Sequence, residues 1–134
     1  MAGSFTDGME VEVLKMITGQ ATSIITTTPI TPYVALTTTT PTDSAAGTEV
    51  SGNNYARISS ASKWATPSAG SVANNATITF ATPSGSWGTV VAMGVFDASS
   101  SGNLLAWADL AVSKTIGSGD VVTFPVGDFD VTLD

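Results

Sequence analysis

From Tyr33 to Leu133 the chain is a succession of short apolar and threonine-rich runs, each cut off by glycine, proline, asparagine or serine. This punctuation constrains the fold more than any other feature, because runs this short suit strands and are too short for stable isolated helices. The runs are Tyr33–Thr38, Tyr55–Ser59, a short piece at Ser62–Ala65, Ala76–Phe80, Trp87–Phe96, Leu104–Leu110, Val121–Phe124 and Asp128–Leu133. Ile78 and Phe80 share a face. Phe129, Val131 and Leu133 alternate with Asp128, Asp130 and Thr132, the period-two pattern of a strand with one face on a core. Trp87–Phe96 is almost continuously apolar and reads as the central strand, with Asp97–Asn103 as the loop that returns the chain into Leu104–Leu110. Pro41–Gly52, Asn74-Asn75, Pro83–Gly85 and Gly117–Asp120 read as loops and turns. About eight strands at this spacing, with no helices between them, predict an all-β fold: a single antiparallel β-sandwich, jelly-roll or immunoglobulin-like.

The N-terminal part differs. Phe5, Met9, Val13 and Met16/Ile17 recur at helical spacing, which predicts a helix over residues 5–18. Ser4 or Thr6 is placed to cap it, Asp7, Glu10 and Glu12 lie in its N-terminal part, and Lys15 and Gly19 suit its end. Val11-Glu12-Val13 also reads as strand-like alternation. Residues 20–32 are threonine-rich and contain Pro29 and Pro32, so they read as an extended connector. The expected layout is therefore a helix and extended arm over 1–32 and a sandwich domain over 33–134.

The length, 134 residues, fits one domain, and a chain of this size buries roughly two-thirds of its unfolded surface. It contains no Cys and no His, which removes disulfides, thiolate nucleophiles, Ser-His-Asp triads and the usual zinc sites. Four Lys and Arg stand against eleven Asp and Glu. That balance disfavours phosphate-backbone binding and anionic membrane surfaces, so neither nucleic acid nor membrane is an expected partner. No apolar run approaches the roughly 20 residues of a membrane span, and the first residues do not read as a signal peptide.

Across most of the chain the pattern of residues resembles a family of small bacteriophage virion structural proteins, often labelled tail-fibre-like. It is carried by Tyr33-Val34-Ala35-Leu36-Thr37, Pro41-Thr42-Asp43, Gly47-Thr48-Glu49-Val50-Ser51-Gly52, Tyr55-Ala56-Arg57, Ile78-Thr79-Phe80 and Trp87-Gly88-Thr89-Val90. Gly94-Val95-Phe96-Asp97-Ala98, Gly102-Asn103-Leu104-Leu105, Lys114-Thr115, Gly119-Asp120 and Val131-Thr132-Leu133 complete it. The resemblance implies a virion location, a β-sandwich and no catalysis. Physical argument adds a choice. A fibre needs length and usually a repetitive shaft, whereas a capsid decoration (cement) protein needs a compact acidic β-domain and an arm to lie across neighbours, a role open to residues 1–32. The expected function is accordingly a non-enzymatic decoration protein, with a tail fibre, tip or adaptor as the alternative. Expected partners are further copies of the chain in a homotrimer, the major capsid protein or tail proteins, and a host glycan as a further option.

Few residues stand out chemically. Arg57, the one guanidinium among eleven carboxylates, is expected to pair, either with an acid such as Glu49 or across an interface. Asp120, Asp128 and Asp130 could group as oxygen ligands for calcium, but a solvated strand face is the expected arrangement and no cofactor is implied. Trp64, Trp87 and Trp107 could stack on sugars; Trp87 and Trp107 are expected in the core or an interface, and Trp64 is the more exposed candidate. Ser60 and Lys63 satisfy a Ser-x-x-Lys spacing that a serine-rich chain produces by chance. The interface candidates are Phe5, Met9, Val13, Met16, Ile17, Arg57 and Trp64.

Overall fold

A computed structural model describes residues 4–17, 20–25 and 29–132, the side chains of Ser4 and of residues 14–17 excepted. The elements in chain order are β1 (Ser4–Phe5), α1 (Asp7–Ile17), β2 (Tyr33–Thr37), β3 (Ile58–Ser59), β4 (Ser71–Ala73), β5 (Ile78–Thr79), β6 (Gly88–Phe96), β7 (Leu104–Ile116), β8 (Thr123–Phe124) and β9 (Asp130–Thr132). One antiparallel sheet has the order β1-β7-β6-β2-β3, and two antiparallel ribbons, β4-β9 and β5-β8, complete the structure. The all-β reading with a short N-terminal helix holds. The strands outside the large sheet form two separate ribbons.

Alternation along paired strands places the core. On the large sheet Val34 faces Val95 and Leu36 faces Met93 in register, so these four project to the same side. They join Val90 and Ile116 with Ile78, Phe80, Trp87, Phe124 and Phe129 in one cluster. Its aromatic members meet mostly edge to face: Trp87 on Tyr55 at 5.2 Å between centroids, Phe80 on Phe124 at 6.4 Å and Phe124 on Phe129 at 6.2 Å.

Asn74, expected at a turn, stands where the chain bends between β4 and β5 and is 1% exposed. Its side-chain amide donates to Ala76 O (2.9 Å) and Pro125 O (2.8 Å), and its Oδ1 accepts from Phe129 N (2.9 Å). Its backbone N–H donates to Phe129 O at 3.0 Å and its carbonyl accepts from Gly127 N at 2.9 Å. Each polar group of this buried residue has a partner, so it fastens the chain leaving β4 to the segment between β8 and β9.

Three other expectations change. Residues 55–57 are not strand; their side chains are spent on the polar cluster described below. The piece at Ser62–Ala65 reduces to a bridge between Trp64 and Asn74, while Ser71–Ala73, unrecognised in the sequence, becomes β4 by pairing with β9. β7 runs past Leu110 to Ile116, and residues 111–115 are all exposed, so no in–out alternation marks them.

Helix α1 starts at Asp7, not at residue 5. Thr6 stops it on the N-terminal side: its Oγ1 accepts from Met9 N at 3.4 Å and its carbonyl from Glu10 N at 3.1 Å, the geometry of an N-cap, which must itself be non-helical. Phe5 is thereby released into β1, where Ser4 pairs with Trp107 and Phe5 with Ala106. Thr6 reinforces the junction through Oγ1 to Leu104 O at 2.9 Å. The helix then presents Glu12 inward (2% exposed) and Val11 outward (47%). The Glu12 carboxylate accepts from the backbone N–H groups of Ser23 (2.6 Å), Ile24 (2.8 Å) and Ile25 (3.4 Å) and from the Ser23 hydroxyl at 3.2 Å. Successive N–H groups converging on a carboxylate form an anion nest, and this one ties the connector back onto the helix.

Candidate functional site

The densest arrangement of polar side chains gathers where β2, β3 and the β6–β7 hairpin loop meet. Arg57 makes a bidentate pair with Glu49, Nε to Oε1 at 2.9 Å and NH2 to Oε2 at 2.7 Å. Its side chain is 5% exposed and that of Glu49 29%. The remaining fork nitrogen, NH1, donates to Ala98 O at 2.8 Å and Ser101 O at 2.7 Å, and the guanidinium lies 3.7 Å from the centre of the Phe96 ring. A planar donor set on an aromatic face is a geometry that lysine cannot reproduce. The chain's one Arg is therefore satisfied internally, with Glu49 as expected from the sequence.

Tyr55 extends the cluster into the sheet. Its hydroxyl donates to Glu49 Oε1 at 3.0 Å and accepts from Leu36 N at 2.9 Å. Burial is the main cause that pushes its ionisation well above the usual tyrosine range, and the neighbouring Glu49 carboxylate adds to it.

At the other end of Arg57, residues 97–103 form a braced loop. Asp97 Oδ1 accepts from Asn103 N at 2.7 Å and Oδ2 from Asn103 Nδ2 at 2.8 Å. Gly102 has φ +73°, and a β-carbon there would run into Asp97 Oδ1 and come within 2.8 Å of Ala98 Cβ, so the turn requires glycine. The cluster can hold a loop rigidly; its ion pair is mutually neutralised and it presents no nucleophile to a substrate.

The other interface candidates lie apart from this cluster. Phe5 on β1 and Met9 and Val13 on α1 are half-buried, and the side chains of Met16 and Ile17 lie outside the described residues. Trp64, expected to be exposed, is half-buried: its ring meets Phe129 edge to face at 5.3 Å and its Nε1 donates to Ser60 Oγ at 3.2 Å. Trp87 is in the core, and Trp107 on β7 is half-buried. Every aromatic residue described is buried or half-buried, so none offers an open stacking platform.

Ser60 is fully buried, with Oγ to Pro32 O at 3.2 Å, while Lys63 donates to Thr77 O at 3.0 Å; the two do not form a catalytic pair. Asp130 accepts from Ser71 Oγ at 2.7 Å and Asp120 from Gly117 N at 2.8 Å, and no group of three acids suited to a metal occurs among the described residues. No helix of the described residues is long and apolar enough to cross a membrane.

Sequence reasoning passed over one surface. Val112 on β7 is 80% exposed and Val121, just before β8, 53%. Both line a groove of about 750 Å³ between these strands. Only the exposed stretch 111–115 hinted at it, and without knowing the neighbouring strand that stretch reads as a loop.

A family model described as Podophage GP4 fiber I protein gp80 matches residues 4–132. No curated protein matches the chain.

Proposed function

The chain belongs to the podophage GP4 fiber I protein gp80 family, which makes it a structural component of a phage virion, and from that premise we propose that it is a non-enzymatic building block of the tail fibre apparatus. The observation that carries this reading is the family match across 4–132. The arrangement of side chains supports it. The groups with most chemical potential, Arg57, Glu49 and Tyr55, are used to brace a loop against a sheet, and the aromatics are used in packing.

The cement-protein reading depended on residues 1–32 serving as an arm across neighbours. Much of that segment is engaged within the chain: β1 extends the chain's own sheet, Thr6 bonds to Leu104, and Glu12 holds residues 23–25. The fibre reading is therefore favoured over decoration. Its mechanism is mechanical: a rigid domain joins neighbouring particle proteins and carries load through its sheet. Attachment to a host glycan would have to use polar loop residues, since the aromatic rings are not free.

Gold-labelled antibody against this chain, imaged on intact particles by electron microscopy, tests the assignment. Label confined to the tail, at a few copies per particle, is the expected result. Label spread over the head would restore the decoration reading, and unlabelled particles would overturn the virion role.

A further inference from the structure

We propose that the seam between β7 and β8 is a contact surface for a second copy of this chain. The inference deepens the fibre reading and rests on it for the premise that copies meet in the particle. The surface itself comes from how β7 is paired. On its outer side β1 covers only Trp107 and Ala106. On its inner side the register with β6 breaks: Lys114 opposes Val90 and Asp109 opposes Ala92, so residues 110–113 stand opposite Val91 alone. The strand bows outward there, and among the described residues its polar backbone edge has no neighbouring strand.

The groove beside this bulge is floored by core residues, Leu36, Val90 and Phe124, at 0%, 1% and 6% exposure. Val112 and Val121 stand on its rim. Proteins commonly protect a free strand edge with a bulge and an outward charge. Here the bulge carries valine at its most exposed position, so protection does not account for the side chain that faces outward.

Charge selects the occupant. Lys114, Asp120 and Asp128 line the same groove. The Lys114 side chain has no hydrogen-bond or ion-pair partner among the described residues, whereas the side chains of Arg57 and Lys63 are both engaged. A second copy brings its own Lys114 to Asp120 and Asp128 while offering the same acids to the first Lys114. It also supplies a Val112 to each groove. Apolar projection, apolar recess and both signs of charge thus occur on one patch, the requirement for a self-complementary contact.

Sedimentation equilibrium of the full chain tests the proposal without reference to where the protein sits in the particle. The wild-type chain is expected to associate to a multiple of its 13.5 kDa mass. Val112→Asp should sediment as a monomer with an unchanged circular dichroism spectrum and melt, and Val121→Asp provides a second disruption of the same rim. Lys114→Glu should weaken association tenfold or more, and adding Asp128→Lys should restore it. A wild-type chain that stays monomeric at every concentration, or rim variants that associate like wild type, would overturn the proposal. Tail labelling together with a monomeric chain would retain the fibre reading and reject this contact.

Discussion

The two ends of the five-stranded sheet are built on opposite terms. At the β2–β3 end a cluster of polar side chains is closed on itself: Arg57 reaches Glu49 and two loop carbonyls, and Tyr55 links Glu49 to the backbone of Leu36. At the β7 end a strand bows away from its neighbour, the Lys114 side chain has no partner among the described residues and Val112 faces outward. The difference separates folding from assembly. Buried polar networks specify one arrangement because an unmatched member is costly. An exposed apolar edge contributes little to a single chain and gains value only when another surface covers it.

If the comparison is right, substitutions at the closed end should cost stability in proportion to the partners they strand. Arg57→Ala should be the most damaging, by about 3 kcal/mol in urea denaturation, because it removes the charge partner of Glu49, leaving it only the Tyr55 hydroxyl, and strands two carbonyls. Arg57→Lys should recover only part of that loss, since an ammonium cannot make the bidentate pair and bond both carbonyls in the same geometry. Away from that end, in the ribbons, Asn74→Ala should cost about 2.5 kcal/mol in the same measurement by removing three bonds from a site that water does not reach. A loss below about 0.5 kcal/mol for Arg57→Ala would show that the matched end does not govern the fold.

Tyr55→Phe is milder, at about 1 kcal/mol near neutral pH. It carries a distinctive pH signature. Because the folded-state ionisation of Tyr55 is raised, its contribution is fully present below the ordinary tyrosine value of about 10. Above that pH the unfolded chain loses the proton first, so stability falls by up to about 1.4 kcal/mol per pH unit until the folded state also ionises. Melts of wild type and Tyr55→Phe from neutral pH to 11 should show this extra alkaline fall in wild type alone. Val112→Asp sits at the other extreme: its effect on the unfolding free energy of the isolated chain should stay within about 0.5 kcal/mol.

The same contrast explains what the sequence made legible. The Arg57–Glu49 pair could be anticipated, because one guanidinium among eleven carboxylates has to find a partner and Glu49 is near in sequence. The carbonyls of Ala98 and Ser101 could not, since only the pairing of β2 with β6 brings them within reach. Glu12 reads as one of three acids in the N-terminal part of the helix, and its burial depends on a connector whose N–H groups have no sequence signature. Asn74 followed by Asn75 reads as a turn, and the chain does bend there; the partners of the Asn74 amide between β8 and β9, more than fifty positions away, were not legible. Strands buried along most of their length, such as Tyr33–Thr37 and Gly88–Phe96, were recoverable from their apolar runs. The far half of β7 was not, because its exposed residues show no period.

Amide hydrogen exchange across a concentration series tests the separation of folding from assembly most directly. At low concentration the backbone around Asn74, Tyr55 and β2 should already be protected, while residues 110–115 exchange freely. Raising the concentration should slow exchange at 110–115 and 119–123 and leave the closed end unchanged. Full protection of the β7 edge at the lowest concentration, or association that leaves exchange there unaltered, would contradict the account.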